Sequence, residues 1–286
     1  FNIAWDATDD LVIRGAIAKV ISRPDYSDLG AQQRITYVSG EWAEDRAAFN
    51  ELPGFSGSGG NKNLKPFESV QADLSIEYYY GEGSAVGLAL FHKKVDNFVV
   101  PLVIDVEQNF AGKNNIVDAG TINIAPYSTV GNGTDAVSKG AEVFIQHAFD
   151  SGFGFYANYT YNKTNKADVT INGEEFGQSA LIGSAKYQYN TSVYYEGGYF
   201  NVRASYNKRG ETVLGLNSGL NVYQDPYEQL DVNASVNLYD GLSLTAAVIN
   251  LTKSESVTRL GNDTDARLLN TSYSGRRFYA GFNYSF

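Results

Sequence analysis

The stretch that decides the fold class is Arg277-Phe278-Tyr279-Ala280-Gly281-Phe282-Asn283-Tyr284-Ser285-Phe286. Its apolar side chains occupy every second position, from Phe278 to Phe286, and the positions between them are mostly polar or small. Alternation with a period of two is typical of a β-strand that has two unlike faces. The stretch therefore predicts a strand with one apolar face and one polar face.

The same alternation recurs along the chain. Residues 70–80 and 230–238 repeat it clearly. Weaker copies run through residues 10–22, 84–100, 137–149, 152–162, 184–196, 198–209, 242–252 and 272–286. Together with a stub at Phe1 to Trp5, these segments predict about ten full strands.

The links between the predicted strands alternate in length. Short links fall at residues 7–9, 81–83, 150–152, 196–198 and 240–241. Long links fall at residues 23–65, 101–136, 163–183, 210–225 and 253–271. A soluble β-sandwich also has alternating strands, but outer-membrane barrels combine short periplasmic turns with longer extracellular loops. The sequence therefore predicts an all-β, antiparallel transmembrane β-barrel segment, integral to a bacterial outer membrane, with its final strand running toward the periplasm.

Composition excludes several other classes of protein. The chain has 286 residues and no Cys, which removes zinc–cysteine sites and thiol nucleophiles. A net charge of −10 without a basic cluster argues against nucleic-acid binding. No apolar run reaches the ~18 residues that a membrane helix needs. Because the chain also contains no Met, we expect it to be a fragment, a processed product or one part of a split receptor.

Three ordered motifs carry a family resemblance. They are residues 61–69 (Asn-Lys-Asn-Leu-Lys-Pro-Phe-Glu-Ser) with 90–98 (Leu-Phe-His-Lys-Lys-Val-Asp-Asn-Phe), residues 248–252 (Val-Ile-Asn-Leu-Thr), and the segment from Gly275 to Phe286. Residues 139–143 and 159–162 fit the same order. The set resembles the C-terminal barrel of TonB-dependent outer-membrane receptors.

The resemblance implies a barrel of about 22 strands closed inside by an N-terminal plug domain. Residues 1–286 are then the C-terminal portion of the barrel, without the plug and the N-terminal strands. The implied partners are the outer-membrane bilayer, the N-terminal part of the same receptor, the TonB complex and the barrel-assembly machinery. The TonB complex would bind the TonB box of the plug. Four aromatic residues are predicted to form the C-terminal assembly signal: Phe278, Phe282, Tyr284 and Phe286.

The predicted function is TonB-dependent import of a scarce solute, either an oligosaccharide or an iron chelate, with a slight preference for a glycan. A passive porin-like or structural barrel and an omptin-like protease are the alternatives. No enzyme activity, cofactor or metal is expected, because His92 and His147 lie on different predicted strands without a triad spacing. Residues 131–135 and 261–265 are predicted to be solvated turns rather than Ca²⁺ sites, and residues 54–60 a flexible loop tip.

Two groups of residues are candidates for contacts with substrate or plug. Aromatic side chains of the first long link are predicted to stack on a sugar or an aromatic siderophore, or to pack within the loop: Tyr26, Tyr37, Trp42, Phe49 and Phe55. Polar strand residues are predicted to line the lumen or contact the plug: Asp73, Glu77, Glu142, Gln146, Arg203 and Asp231.

Overall fold

The computed structural model describes residues 1–37, 55–109, 121–239, 241–261 and 266–284, and within these ranges it contains 21 β-strands. The strands are β1 (Asn2–Thr8), β2 (Leu11–Ser22), β3 (Gln33–Tyr37), β4 (Phe55–Gly59), β5 (Phe67–Gly81), β6 (Ser84–Asp96), β7 (Phe98–Asn109), β8 (Thr121–Gly133), β9 (Ala136–Ala148), β10 (Phe153–Thr164), β11 (Ala167–Ile171), β12 (Glu174–Ser179), β13 (Tyr187–Glu196), β14 (Phe200–Arg209), β15 (Thr212–Asn217), β16 (Leu220–Gln224), β17 (Tyr227–Tyr239), β18 (Leu242–Ile249), β19 (Glu255–Leu260), β20 (Arg267–Tyr273) and β21 (Arg277–Tyr284). No helix of these ranges has the length and apolarity needed to cross a bilayer.

Eleven strands form one antiparallel sheet, here named the wall sheet, in the order β1-β2-β5-β6-β9-β10-β13-β14-β17-β18-β21. These are the predicted stub and the ten predicted strands. Each pairs with its neighbour in sequence order around the sheet, as in a barrel wall. The prediction of an antiparallel all-β barrel segment is confirmed.

Short turns close one end of the wall sheet. Two residues separate β5 from β6, and the second of them, Gly83, has φ +66°. Gly152, between β9 and β10, has φ +84°. Residues with side chains are disfavoured at such angles, so glycine permits the tight reversal. This end is the periplasmic rim predicted from the link lengths.

Where the structure describes them, the long links at the other end of the wall sheet contain further β-strands, which the sequence did not predict. Their strands form a second sheet, here named the cap sheet, in the order β12-β11-β8-β7-β15-β16-β19-β20. Strand β4 pairs in parallel with β8, β3 pairs with β4, and β7 and β15 also pair in parallel. The extracellular end of the wall therefore carries an ordered β-structure.

Three local predictions were wrong. The strand predicted over residues 84–100 stops at Asp96, because Asn97 has φ +59° and redirects the chain into β7. The glycine-rich run at residues 54–60, predicted to be a flexible loop tip, contains β4. Residues 131–133, predicted to be a solvated turn, are buried and belong to β8; beyond Gly261, the other predicted turn lies outside the described residues.

The buried apolar core lies in the cap. It consists of Val95, Phe98, Val100, Leu102, Ala136, Ala167, Val169 and Leu216. Val95 and Ala136 belong to wall strands β6 and β9 and pair with each other, so the core joins the cap to the wall. Both project from the side of the wall that carries Glu142, because side chains two residues apart share a face. The cap therefore packs over the outer end of that side.

Candidate functional site

The six polar residues predicted from the sequence share one side of the wall sheet, here named the polar face. The strand register places them on one side, because directly paired residues lie on the same side of a sheet. The pairs run Glu77–Gly87, Gly87–Phe144, Phe144–Asn158, Asn158–Asn190, Asn190–Asn207 and Asn207–Gln229. Residues an even number of positions from these also project there, which adds the rest of the set: Asp73, Glu142, Gln146, Arg203 and Asp231.

The opposite side, here named the apolar face, exposes large hydrophobic side chains. Leu74 is 53%, Leu90 48% and Val193 56% exposed. On β21, Phe278 is 70%, Phe282 73% and Tyr284 59% exposed, whereas Phe286 lies outside the described residues. Soluble monomers rarely expose contiguous apolar surface of this extent. Hydrocarbon is the environment that such a face matches.

An ion pair anchors the polar face near the periplasmic rim. The Arg14 guanidinium lies 2.5 Å from the Glu77 carboxylate, and the Tyr79 hydroxyl donates a hydrogen bond of 2.7 Å to the same carboxylate. Glu77 was predicted from its strand position, but Arg14 and Tyr79 were not. Side chains of consecutive residues on a strand point to opposite faces, so the alternation on β2 already predicts that Arg14 and the apolar Ile13 lie on different faces of the sheet.

Amide side chains continue this face across the middle strands. Asn190 Nδ2 donates to Asn158 Oδ1 at 2.8 Å, and Asn158 Nδ2 donates to the Tyr156 hydroxyl at 2.7 Å. Arg203 donates to Glu196 at 3.3 Å and lies over the Tyr194 ring, with its guanidinium carbon 4.9 Å from the centroid. The asparagines were not predicted from the sequence, although they occupy polar-face positions of the neighbouring strands β10 and β13. Neutral amides give the face donors and acceptors with little net charge.

Asp231 is held by a neighbour on its own strand β17 and by the backbone just after β18. Its carboxylate accepts hydrogen bonds of 2.8 Å from Gln229 Nε2 and 2.9 Å from the Asn250 backbone N–H. Asn250 is the centre of the 248–252 motif and is 1% exposed. Asp231 therefore fixes the junction at which β18 leaves the wall for the cap. That the six predicted residues contact a lumen or a plug stays a prediction.

Two of the five aromatic substrate candidates are brought together in the cap. Tyr37 and Phe55 pair across β3 and β4, with ring centroids 5.5 Å apart at an interplanar angle of 60°. Tyr37 is 54% exposed, and Tyr26 stands apart at 90% exposure. Trp42 and Phe49 lie outside the described residues. The paired rings offer an aromatic edge for a ligand, and contact with substrate stays a prediction.

The 61–69 motif ties the base of the cap to the wall through asparagine side chains. Asn132 Oδ1 accepts from the Lys65 backbone N–H at 2.9 Å, and its Nδ2 donates to the Asn97 carbonyl at 2.9 Å. Asn61 Nδ2 donates to the Val130 carbonyl at 3.2 Å. Both asparagines are buried, at 8% exposure or less. These bonds satisfy backbone groups where strands turn from wall to cap.

Arg259 on β19 bonds to three links between strands: β14–β15, β16–β17 and β19–β20. Its Nε donates to Asp225 at 2.6 Å, its Nη1 donates to the Gly261 carbonyl at 3.0 Å, and its Nη2 is paired with Glu211. The guanidinium also lies over the Tyr223 ring, 5.1 Å from the centroid. A side chain so fully engaged, and only 14% exposed, positions the β15–β16 hairpin beside β19.

The two histidines belong to different surroundings. His147 Nδ1 lies 3.1 Å from the Ser84 hydroxyl, and its ring stacks on Tyr80 with centroids 5.7 Å apart. His147, Ser84 and Tyr80 all lie near the periplasmic rim. His92 projects from β6 beside Lys139 of β9. Among the described residues, no cluster of three or more His, Asp or Glu side chains has the arrangement of a metal site.

An antiparallel sheet with one apolar exposed face, one polar face, short turns at one rim and a folded cap at the other defines the wall of a transmembrane β-barrel. The family model described as "TonB dependent receptor-like, beta-barrel" matches residues 1–251. The chain belongs to this family. It is integral to the bacterial outer membrane, and the members of the family are receptors and transporters rather than enzymes.

Known relatives and structures agree with this assignment. The chain is 25% identical over 231 residues to an iron-regulated outer membrane virulence protein of Vibrio cholerae, an alignment that covers 79% of this chain and 32% of the relative. All of the chain aligns with 39% of a variant of the ferric enterobactin receptor PfeA from Pseudomonas aeruginosa, at 20% identity and a TM-score of 0.64. The siderophore receptor PirA from Acinetobacter baumannii gives 19% identity, a TM-score of 0.61 and the same full coverage of this chain, which spans 40% of PirA. The chain thus spans about a third of the curated relatives' length.

Proposed function

We propose that this chain is the C-terminal portion of the barrel of a TonB-dependent receptor, and that the whole receptor imports an iron chelate across the outer membrane. Its role is transport and not catalysis. The observation that carries the proposal is the family match, together with relatives and fold neighbours whose names refer to iron regulation and siderophores. An iron chelate is favoured over an oligosaccharide because the names of these relatives and fold neighbours refer to iron or to a siderophore.

The wall sheet supports the domain assignment. Strands β1 and β21 lie at its two edges, and a closed barrel has no edges. Further strands of the receptor are proposed to pair with both, so that the polar face encloses a lumen and its carboxylates and amides contact the plug. The TonB box of that plug is the proposed contact with the TonB complex, and the barrel-assembly machinery is the proposed partner during insertion.

The cap supplies a route for ligand capture. It packs over the outer end of the polar face through Val95 and Ala136, so a solute arriving from outside meets the cap before the lumen. The Tyr37–Phe55 pair, in which Tyr37 is exposed and Phe55 half-buried, is the proposed aromatic contact for an aromatic chelate. Its rings also match the faces of a sugar, so the test includes glycans.

Growth of a receptor deletion strain on defined nutrients tests this proposal. A panel of ferric chelates as sole iron source and a panel of oligosaccharides as sole carbon source should separate the two substrate classes. We expect growth to be lost on one ferric chelate and restored by the intact receptor only when TonB is present. Loss of growth on an oligosaccharide would contradict the proposed substrate class. Restoration without TonB would instead support a passive barrel.

A further inference from the structure

A row of basic side chains crosses the apolar face below the cap. His92, Lys139 and Lys163 are direct neighbours on β6, β9 and β10, because His92 pairs with Lys139 and Lys139 pairs with Lys163. All three are exposed. Val143, Leu88 and Tyr159 share their side of the sheet, since they lie an even number of residues away on the same strands. This set of three is named the basic row.

Other lysines on the same face are paired with carboxylates. Lys19 lies 2.9 Å from Glu68, Lys94 lies 3.2 Å from Asp135 and Lys208 lies 2.9 Å from Glu228. Neither Lys139 nor Lys163 takes part in an ion pair within the described ranges. Asp96 also projects from this face, but it lies four residues from His92 along β6, about 13 Å away. The basic row is therefore the part of this face where positive charge is left unbalanced.

Direct pairing of two lysines is unfavourable unless something offsets it. Side chains directly opposite in an antiparallel pair have Cβ atoms about 5 Å apart, and like charges there destabilise the sheet. The low-dielectric edge of a bilayer screens that repulsion less than water does. An anion seated between the two ammonium groups removes the repulsion and supplies each with a partner.

The position of the row identifies the kind of anion. Toward the periplasm the same face is hydrophobic, with Val143 42%, Leu90 48% and Tyr159 43% exposed, and this surface matches acyl chains. On its extracellular side, the basic row borders the cap. A ligand here must combine a negatively charged head group at the outer interface with hydrocarbon beneath it.

We propose that the basic row binds a phosphate group of lipopolysaccharide in the outer leaflet. Lys139 and Lys163 provide the two charges and His92 provides a ring N–H donor from the adjacent strand. The acyl chains of the same molecule lie along the apolar face between β6 and β10. The site is on the outside of the wall, apart from the path of the transported solute.

The test compares the intact receptor with the Lys139→Gln/Lys163→Gln variant, using purified lipopolysaccharide added to receptor in detergent. Each lysine near an anionic lipid surface contributes about 1 kcal/mol, so the variant should bind about 30-fold more weakly. Lys62→Gln/Lys65→Gln removes two exposed lysines outside the row and should bind like the wild type. Lipopolysaccharide stripped of phosphate should bind the wild type as weakly as the intact form binds the row variant.

A second measurement separates binding from a merely structural role. Without lipid, the row variant should unfold at the same temperature as the wild type or slightly higher, because a like-charge pair is gone. With lipopolysaccharide, the wild type should gain thermal stability and the variant should not. Unchanged binding by the variant, or equal binding of phosphatidylglycerol and lipopolysaccharide by the wild type, would overturn the proposal.

Discussion

Asn250 is a buried residue that combines an unusual backbone conformation with full use of its side chain. Its φ is +58°, a region that asparagine tolerates better than other residues with a Cβ atom. Its Nδ2 donates to the Ser254 carbonyl at 3.1 Å and the Gly275 carbonyl at 3.2 Å, while its Oδ1 accepts from the Ser254 backbone N–H at 2.8 Å. One side chain thus connects β18, the start of β19 and the approach to β21.

We expect Asn250→Ala to lower the free energy of unfolding by about 3 kcal/mol or more. Each lost hydrogen bond contributes about 1 kcal/mol net, and alanine adds about 1 kcal/mol of left-handed backbone strain. Guanidinium unfolding of the receptor in lipid vesicles measures the loss. Asn250→Gly keeps the backbone angle and should lose less. Equal stability of Asn250→Ala and wild type would contradict this account.

Adjacent residues of β6 test the assignment of the two faces. Leu90 lies at the middle of β6 on the apolar face, paired with Leu74, while Ala89 lies on the polar face opposite Glu142. Leu90→Arg places a charge at bilayer depth, which costs about 2 to 4 kcal/mol. Ala89→Arg gains Glu142 as a partner. We expect heat-modifiable barrel in outer-membrane fractions to fall several-fold for Leu90→Arg only, and equal yields would count against the facing.

At the scale of elements, the β3–β4 hairpin depends on close packing against β8. A Cβ atom on Gly59 would overlap the Tyr127 hydroxyl, and one on Gly57 would also crowd the Tyr127 ring. Gly59→Val should therefore displace β4 from β8 and move the Tyr37–Phe55 pair. We expect barrel yield to be unchanged and uptake of the transported solute to fall several-fold. Gly198→Ala is the control, since a Cβ there meets open space.

The wall could be predicted from sequence because lipid and lumen impose opposite demands on successive residues. That requirement gives a period of two over long strands such as β5 and β9, which the alternation of residues 70–80 and 137–149 exposes. The polar-face candidates follow from the same rule. Arg14 and the asparagines obey it too, but alternation alone does not distinguish a side chain that bonds across the polar face from any other polar residue on that face.

The cap could not be predicted in the same way, although local signals were present. Asn172-Gly173, with φ of 54° and 91°, is a strong hairpin signal between β11 and β12. Ser218-Gly219 marks the β15–β16 hairpin similarly. The arrangement of these hairpins depends on the parallel pairs β4–β8 and β7–β15, which join segments distant in sequence. No short-range pattern encodes such pairs.

At the scale of the molecule, wall and cap are stabilised by different environments. Wall side chains on the apolar face are matched by lipid, so the wall keeps little apolar core of its own. The cap stands in water and needs a packed core, which Val100, Leu102 and Val169 supply at 2% exposure or less. The same apolar residue type therefore has opposite consequences in the two sheets.

One substitution made at two valines tests this division. Val169 is 0% exposed in the cap, and Val193 is 56% exposed on the apolar face of β13. Val169→Asp buries an unpaired carboxylate, which costs several kcal/mol. It should open the cap to protease added to whole cells while leaving the barrel inserted. Val193→Asp places its charge against hydrocarbon, so it should reduce barrel yield while the molecules that do insert keep a protease-resistant cap. If both variants lost barrel and cap together, the two sheets would form one cooperative unit and the division would be wrong.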